Sequence, residues 1–153
     1  MKLTNEYVII ARDASIDSSD QMVSIHKIID NFTFGYRKEE YEKAIAASGG
    51  KPLAFPINYT VTSSWRAASK AASNFPFKIQ IKLIDPNGDV LNENVQEAVI
   101  EKGKNRIRFN VNVQGFPVSE AGVYHYDLAA IDDRGKELAT GKSQVNVELR
   151  AEG

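Results

Sequence analysis

Lys104, Arg106 and Arg108 recur at every second position, and Asn110, Asn112 and Gln114 continue the series. Ammonium and guanidinium groups in such a row can hold phosphates or carboxylates, and the amides can add hydrogen bonds. Lys78 and Lys82 form a second row. Should both rows share one sheet, they would make a basic and polar stripe fit for a phosphate or an acidic partner. With Glu97, Glu101 and Glu148 opposite them, the same rows would be a neutralised solvent face whose ion pairs contribute little. The single tryptophan, Trp65, sits just ahead of Arg66 and Lys70. A half-exposed indole there can anchor a protein interface or stack on a ring, whereas a buried one closes the end of a core. Tyr41 is a fourth candidate contact, on a segment that the prevailing pattern does not explain.

Other chemistries have thinner support. His26 and His125 stand far apart and in no metal-spacing motif. Asp13–Asp20 places oxygen side chains at alternate positions, as a calcium loop does. Its sixth residue, however, is Ser18 where a glycine belongs, and its twelfth is Ser24 where a bidentate glutamate belongs. Nucleophile elbow, P-loop, dinucleotide fingerprint and zinc-protease motifs are all missing. With 0 cysteines the chain has no disulfides, zinc-thiolate sites or thiol nucleophiles. Neither a metal nor a cofactor is expected. Two sequons, at Asn31 and Asn58, and a basic kinase-like tetrapeptide at Arg66–Ser69 read as chance matches.

The elements that must position these groups are strands. Phe77, Ile79, Ile81 and Leu83 alternate with polar residues, as do Ile107–Val113, Tyr124–Ala130 and Val145–Leu149. Each segment is a ribbon with one dry face and one wet face, and two antiparallel sheets packed together bury the dry faces most simply. Glu6–Asp13, Met22–Phe34, Pro56–Trp65 and a short run at Gln96–Glu101 bring the total to about eight strands. Asp85-Pro86-Asn87-Gly88 and Asp132-Asp133-Arg134-Gly135 are turns, the second making 122–149 a hairpin. Gly115–Gly122 reads as a loop between neighbouring strands. Lys38–Ala47 has helix propensity and ends at Gly49-Gly50, while Arg66–Ser73 reads as a mobile loop or one helical turn. Both insertions flank the Pro56–Trp65 strand, which makes 36–75 the first place to look for a function.

Phe77–Leu91, with its Asp85-x-x-Gly88 turn, and Gly122–Ala139, with Gly122-x-Tyr124-x-Tyr126, resemble a group of small bacterial β-sandwich proteins without an assigned activity. The resemblance extends over the opening strands to Phe34 and leaves out both insertions. It implies a fold and no site.

The expectation is thus a mainly β protein: residues 1–153 as one antiparallel β-sandwich of immunoglobulin-like or jelly-roll topology, with a short helical insertion near 38–47. The net charge of −1, from 19 basic and 20 acidic residues, argues against nucleic acid and anionic membranes as partners. The opening residues lack the apolar stretch of a signal peptide, which predicts a cytoplasmic protein. The leading functional expectation is a non-catalytic binding or assembly module that meets another protein, or itself, through loops and an edge strand. The alternatives are a hydrolase with scattered carboxylates and a homo-oligomeric structural component.

Overall fold

The computed structural model describes residues 1–17, 19 and 22–152. In chain order the elements are β1 (Leu3–Ile16), β2 (Val23–Ile28), β3 (Asn31–Tyr36), α1 (Lys38–Ser48) and β4 (Leu53–Ala67). There follow β5 (Phe75–Ile84), β6 (Val90–Ile100), β7 (Arg106–Val118), β8 (Gly122–Ile131) and β9 (Glu137–Ala151). The described residues therefore form a mainly β structure of two sheets, ordered β2-β1-β4-β7 and β3-β9-β8-β5-β6.

Alternation delivers the core as expected. Phe77, Ile79, Ile81 and Leu83 on β5 are buried with Tyr124, Tyr126, Leu128 and Ala130 on β8. They join Val8, Ile10, Tyr59, Val61 and Trp65 of the four-stranded sheet in one hydrophobic cluster. Aromatic rings lock the sheets together: Phe116 of β7 lies 5.0 Å from Phe32 of β3 and 5.2 Å from Tyr124 of β8, centre to centre. Such pairs add to the burial of their area. The Tyr59 and Tyr126 hydroxyls bond to each other inside the core. Burial raises the pKa of both, that of Tyr126 to about 12, so both stay neutral.

The two aspartate turns form where the sequence places them. The Oδ1 of Asp85 accepts from the N–H groups of Asn87 and Asp89, and that of Asp132 from those of Arg134 and Lys136. The 122–149 hairpin is present as β8 and β9. The helix starts at Lys38 and stops at left-handed Gly49, one residue beyond the expected span. None of its residues is buried, and Tyr41 rests its ring 4.7 Å from that of Tyr36.

Four expectations need correction. Met22–Phe34 is two strands, parted at Ile29–Asp30 with no Gly or Pro to mark the break, while Lys27, at φ 57, lies inside β2 where the pairing to β1 continues on both sides. β2 pairs with β1, while β3 crosses to the other sheet and runs parallel to β9, so the pairing is not wholly antiparallel. Gly115–Gly122 does not join neighbours: β7 continues through Pro117 to Val118, and β8 starts in the opposite sheet. Proline is tolerated there because β7 is an edge strand, where the missing N–H need cost no ladder bond. Residues 68–74 form no helix and are tied down, since Ala71 is buried and bonds through its backbone to Gly103 and Lys104.

Candidate functional site

β4 is, with β9, the longest strand among the described residues. Its 15 residues separate the two insertions that flank it, by roughly 45 Å along an extended strand. Tyr41 sits beside the Leu53 end, whereas Trp65, Arg66 and Lys70 belong to the other end. The 36–75 region is therefore not one site, because a single long strand carries its two neighbours to opposite ends of the molecule.

At the Trp65 end the remaining candidates do assemble. Trp65 is fully buried and its Nε1 donates to Ser63 Oγ at 3.0 Å, so it closes the core and offers no surface. Arg66 lies directly opposite Arg106 in the β4–β7 register, and Ser64 opposite Arg108. The loop carrying Lys70 is bonded to the loop carrying Lys104, through Ala71 N–H and the Lys104 carbonyl at 2.8 Å. Lys2 joins them, its carbonyl accepting from Ala68 N–H.

Two arginines opposite each other on adjacent strands repel. Glu6 resolves the conflict. A register shift in β1 between Asn5 and Tyr7 leaves Glu6 as the extra residue, and such bulges re-aim side chains. Its carboxylate accepts from Arg106 Nε at 2.6 Å and Nη2 at 3.0 Å, and from Ser64 Oγ at 2.8 Å. Arg66 Nε stands 3.9 Å away. The Arg106 hydrogen bond leads in holding the Glu6 pKa below its usual 4.5, against an opposing cost of burial. Lys104 pairs with Glu101 at 3.1 Å. Period-two patterning does not reveal the bulge that turns Glu6 here, nor the strand register and loop contact that bring in Ser64 and Lys2.

Between the end of β6 and the start of β7 runs a groove of about 410 Å³, lined by Val99, Glu101, Lys104, Arg106, Ile107 and Arg108. A second depression of about 290 Å³ adjoins it at Lys2, Thr4, Arg66 and Asn105. Lys78 and Lys82 do not extend this surface. They lie on β5 in the other sheet, facing Glu97 and Glu93 on β6, so that row is a neutralised solvent face.

The other candidates stay apart. His26 is exposed on β2, and His125 lies in the opposite sheet with its Nε2 3.3 Å from Gln144. Among the described residues no three His, Asp or Glu side chains gather for a metal. Ser18 and Asp20 of the calcium-like segment lie outside the described residues. The buried carboxylate of Asp85 holds its turn and accepts from Ser119 Oγ at 2.9 Å. No described helix is long and apolar enough to cross a membrane.

No family model and no curated protein matches the chain. Among solved structures it is similar to a glycosyl hydrolase family 2 member from Bacteroides cellulosilyticus, with a TM-score of 0.51 and 12% identity over 63% of this chain. A structure of such a member from strain DSM 14838 of that organism aligns with the same TM-score and identity. The chain spans only 13% and 14% of those two chains. A β-glucuronidase from the same family aligns at a TM-score of 0.44 and 16% identity, over 62% of this chain and 11% of that one, too distant to argue from. The likeness is one of fold and carries no activity with it.

Proposed function

We propose that this chain is a non-catalytic binding module with an immunoglobulin-like sandwich fold, which takes an acidic protein partner on the basic end of β4 and β7. The fold reading draws support from strand order. One sheet carries β1, β4 and β7 and the other β9, β8 and β5, the alternation of an immunoglobulin sandwich. β8 also carries the corner tyrosine of such folds. Tyr124 OH donates to the Glu120 carbonyl at 2.5 Å and accepts from the N–H groups of Ser119 and Glu120.

The observation that carries the binding reading is the gathering of Lys2, Arg66, Lys70, Lys104, Arg106 and Arg108 at one end, where Glu6 pairs with Arg66 and Arg106, and Glu101 with Lys104. The whole chain has a net charge of −1. An excess of positive charge here therefore makes the rest of the molecule acidic, and a polarised surface steers an oppositely charged partner into register. Nucleic acid fits less well. Single strands are gripped by aromatic rings between the charges, and none of the strongly exposed large apolar side chains among the described residues is aromatic. Two of the carboxylates with several hydrogen bonds serve structure instead, Asp85 in a turn and Glu6 between arginines.

Fluorescence anisotropy with labelled poly-L-glutamate at low salt tests this reading. The native chain binds, and the K104E/R108E variant loses at least tenfold in affinity. No binding by the native chain, or equal binding by the variant, would remove the proposal's support.

A further inference from the structure

β7 ends its sheet, with β4 on one side and no strand among the described residues on the other. An edge strand of 13 residues is the kind of template to which another strand adds. The inner face of β7 is also unfinished. Tyr59, Val61 and Trp65 on β4 are fully covered, while their cross-strand neighbours Val113, Val111 and Ile107 on β7 are only partly buried. Phe109 is likewise half-covered. The neighbouring edge strand β6 does not close this side, and the groove between them is walled by Val99 and Ile107 below the basic row.

We infer that an extended segment of the acidic partner adds to the free edge of β7 as a further strand of that sheet. Acidic residues at alternate positions would meet Lys104, Arg106 and Arg108, and apolar residues between them would cover Ile107 and Phe109. The spacing fits, since side chains on one face of a strand recur every second residue, about 7 Å apart, as Arg106 and Arg108 do on β7, with Lys104 in the connection just ahead of it. Arg106 keeps donors beyond those that Glu6 takes. Glu6 engages two of its N–H donors, of the five that a guanidinium carries. Backbone bonds along the edge would supply affinity, and the alternating pockets specificity, as in other strand-addition complexes. The inference rests on the proposed acidic partner and adds its conformation and its sequence pattern.

The test uses two ten-residue peptides of identical composition, one alternating glutamate with valine and the other carrying the glutamates and valines in separate blocks. Anisotropy measures affinity, and amide hydrogen exchange on the native chain locates the contact. The inference expects the alternating peptide to bind at least tenfold more tightly and to slow exchange along Arg106–Val113. Equal affinity of both peptides would overturn strand addition while leaving the acidic-partner reading intact. Failure of both peptides and of poly-L-glutamate would overturn both. Protection at the β7 edge that rises with protein concentration and no peptide, with dimer formation in sedimentation, would assign the edge to a second copy and overturn the inference. Tighter binding of a single-stranded oligonucleotide than of either peptide would do the same.

Discussion

The two ends of β4 are built on opposite principles. Near Leu53 the strand enters an aromatic cluster: Phe55 stacks on Phe34 at 4.6 Å, Phe34 on Phe32 at 5.5 Å, and Phe116 is inserted among them. Tyr124 caps this end, its hydroxyl satisfied by backbone groups of the turn before it. Near Ala67 Trp65 closes the core, with the stacked Phe75 and Phe77 at the start of β5, and arginines and lysines form the surface above it. Aromatic contacts are densest at the first end, and the basic row lies at the second. A binding surface can vary at the charged end without touching the packing that holds the sheets together.

The largest expected effect falls at the aromatic end. Phe116→Ala removes a fully buried ring that contacts Phe32, Phe34, Tyr59 and Tyr124. It should cost about 3–5 kcal/mol in a denaturant melt. A loss below about 1 kcal/mol would mean that the cluster does not join the sheets as described.

Second is Tyr124→Phe, which leaves the Ser119 and Glu120 backbone groups without their phenol partner. A loss of about 1–3 kcal/mol is expected, with no change in affinity for poly-L-glutamate. If affinity fell as well, the two ends would be coupled and the division between them would fail.

Glu6→Gln probes the charged end and should separate the two properties. The Glu6 pKa lies below its unfolded value, so its stabilisation is present above the usual glutamate range and is lost as pH falls through the lowered value. The variant should therefore show a flatter loss of stability on acidification. It should also bind poly-L-glutamate about threefold more tightly, the scale of a partly exposed ion pair, because Arg106 is released from its internal counter-charge. Weaker binding would show that Glu6 is needed to aim Arg106.

The smallest effect belongs to α1. Tyr41→Ala removes a ring contact from a helix with no buried residue. Melting should register a change of less than about 1 kcal/mol and anisotropy none. A large loss of binding would return Tyr41 to the functional surface.

The sequence was legible wherever one rule sufficed. Alternation placed the inner faces of β5, β8 and β9, and paired aspartate and glycine placed both turns. It failed where geometry depended on a partner strand. Met22–Phe34 breaks at Ile29–Asp30, where β2 ends and β3 leaves for the other sheet, with no residue-type signal. Glu6 reaches the arginines through a bulge that exists only once β1 pairs with β4. Arg66 and Arg106 are 40 positions apart and become neighbours through the β4–β7 register. Tyr41 and Trp65, by contrast, look close along the chain, and β4 holds them apart. The basic row on 104–108 could thus be read directly, while its counter-ion and the exclusion of Tyr41 could not.

Mapping of backbone amide shifts by NMR during a poly-L-glutamate titration tests the central claim most directly. The account predicts changes confined to Lys2–Tyr7, Arg66–Ala71 and Glu101–Phe109, with residues 36–56 silent. Changes centred on α1 and the Leu53 end, or spread evenly over both sheets, would contradict it.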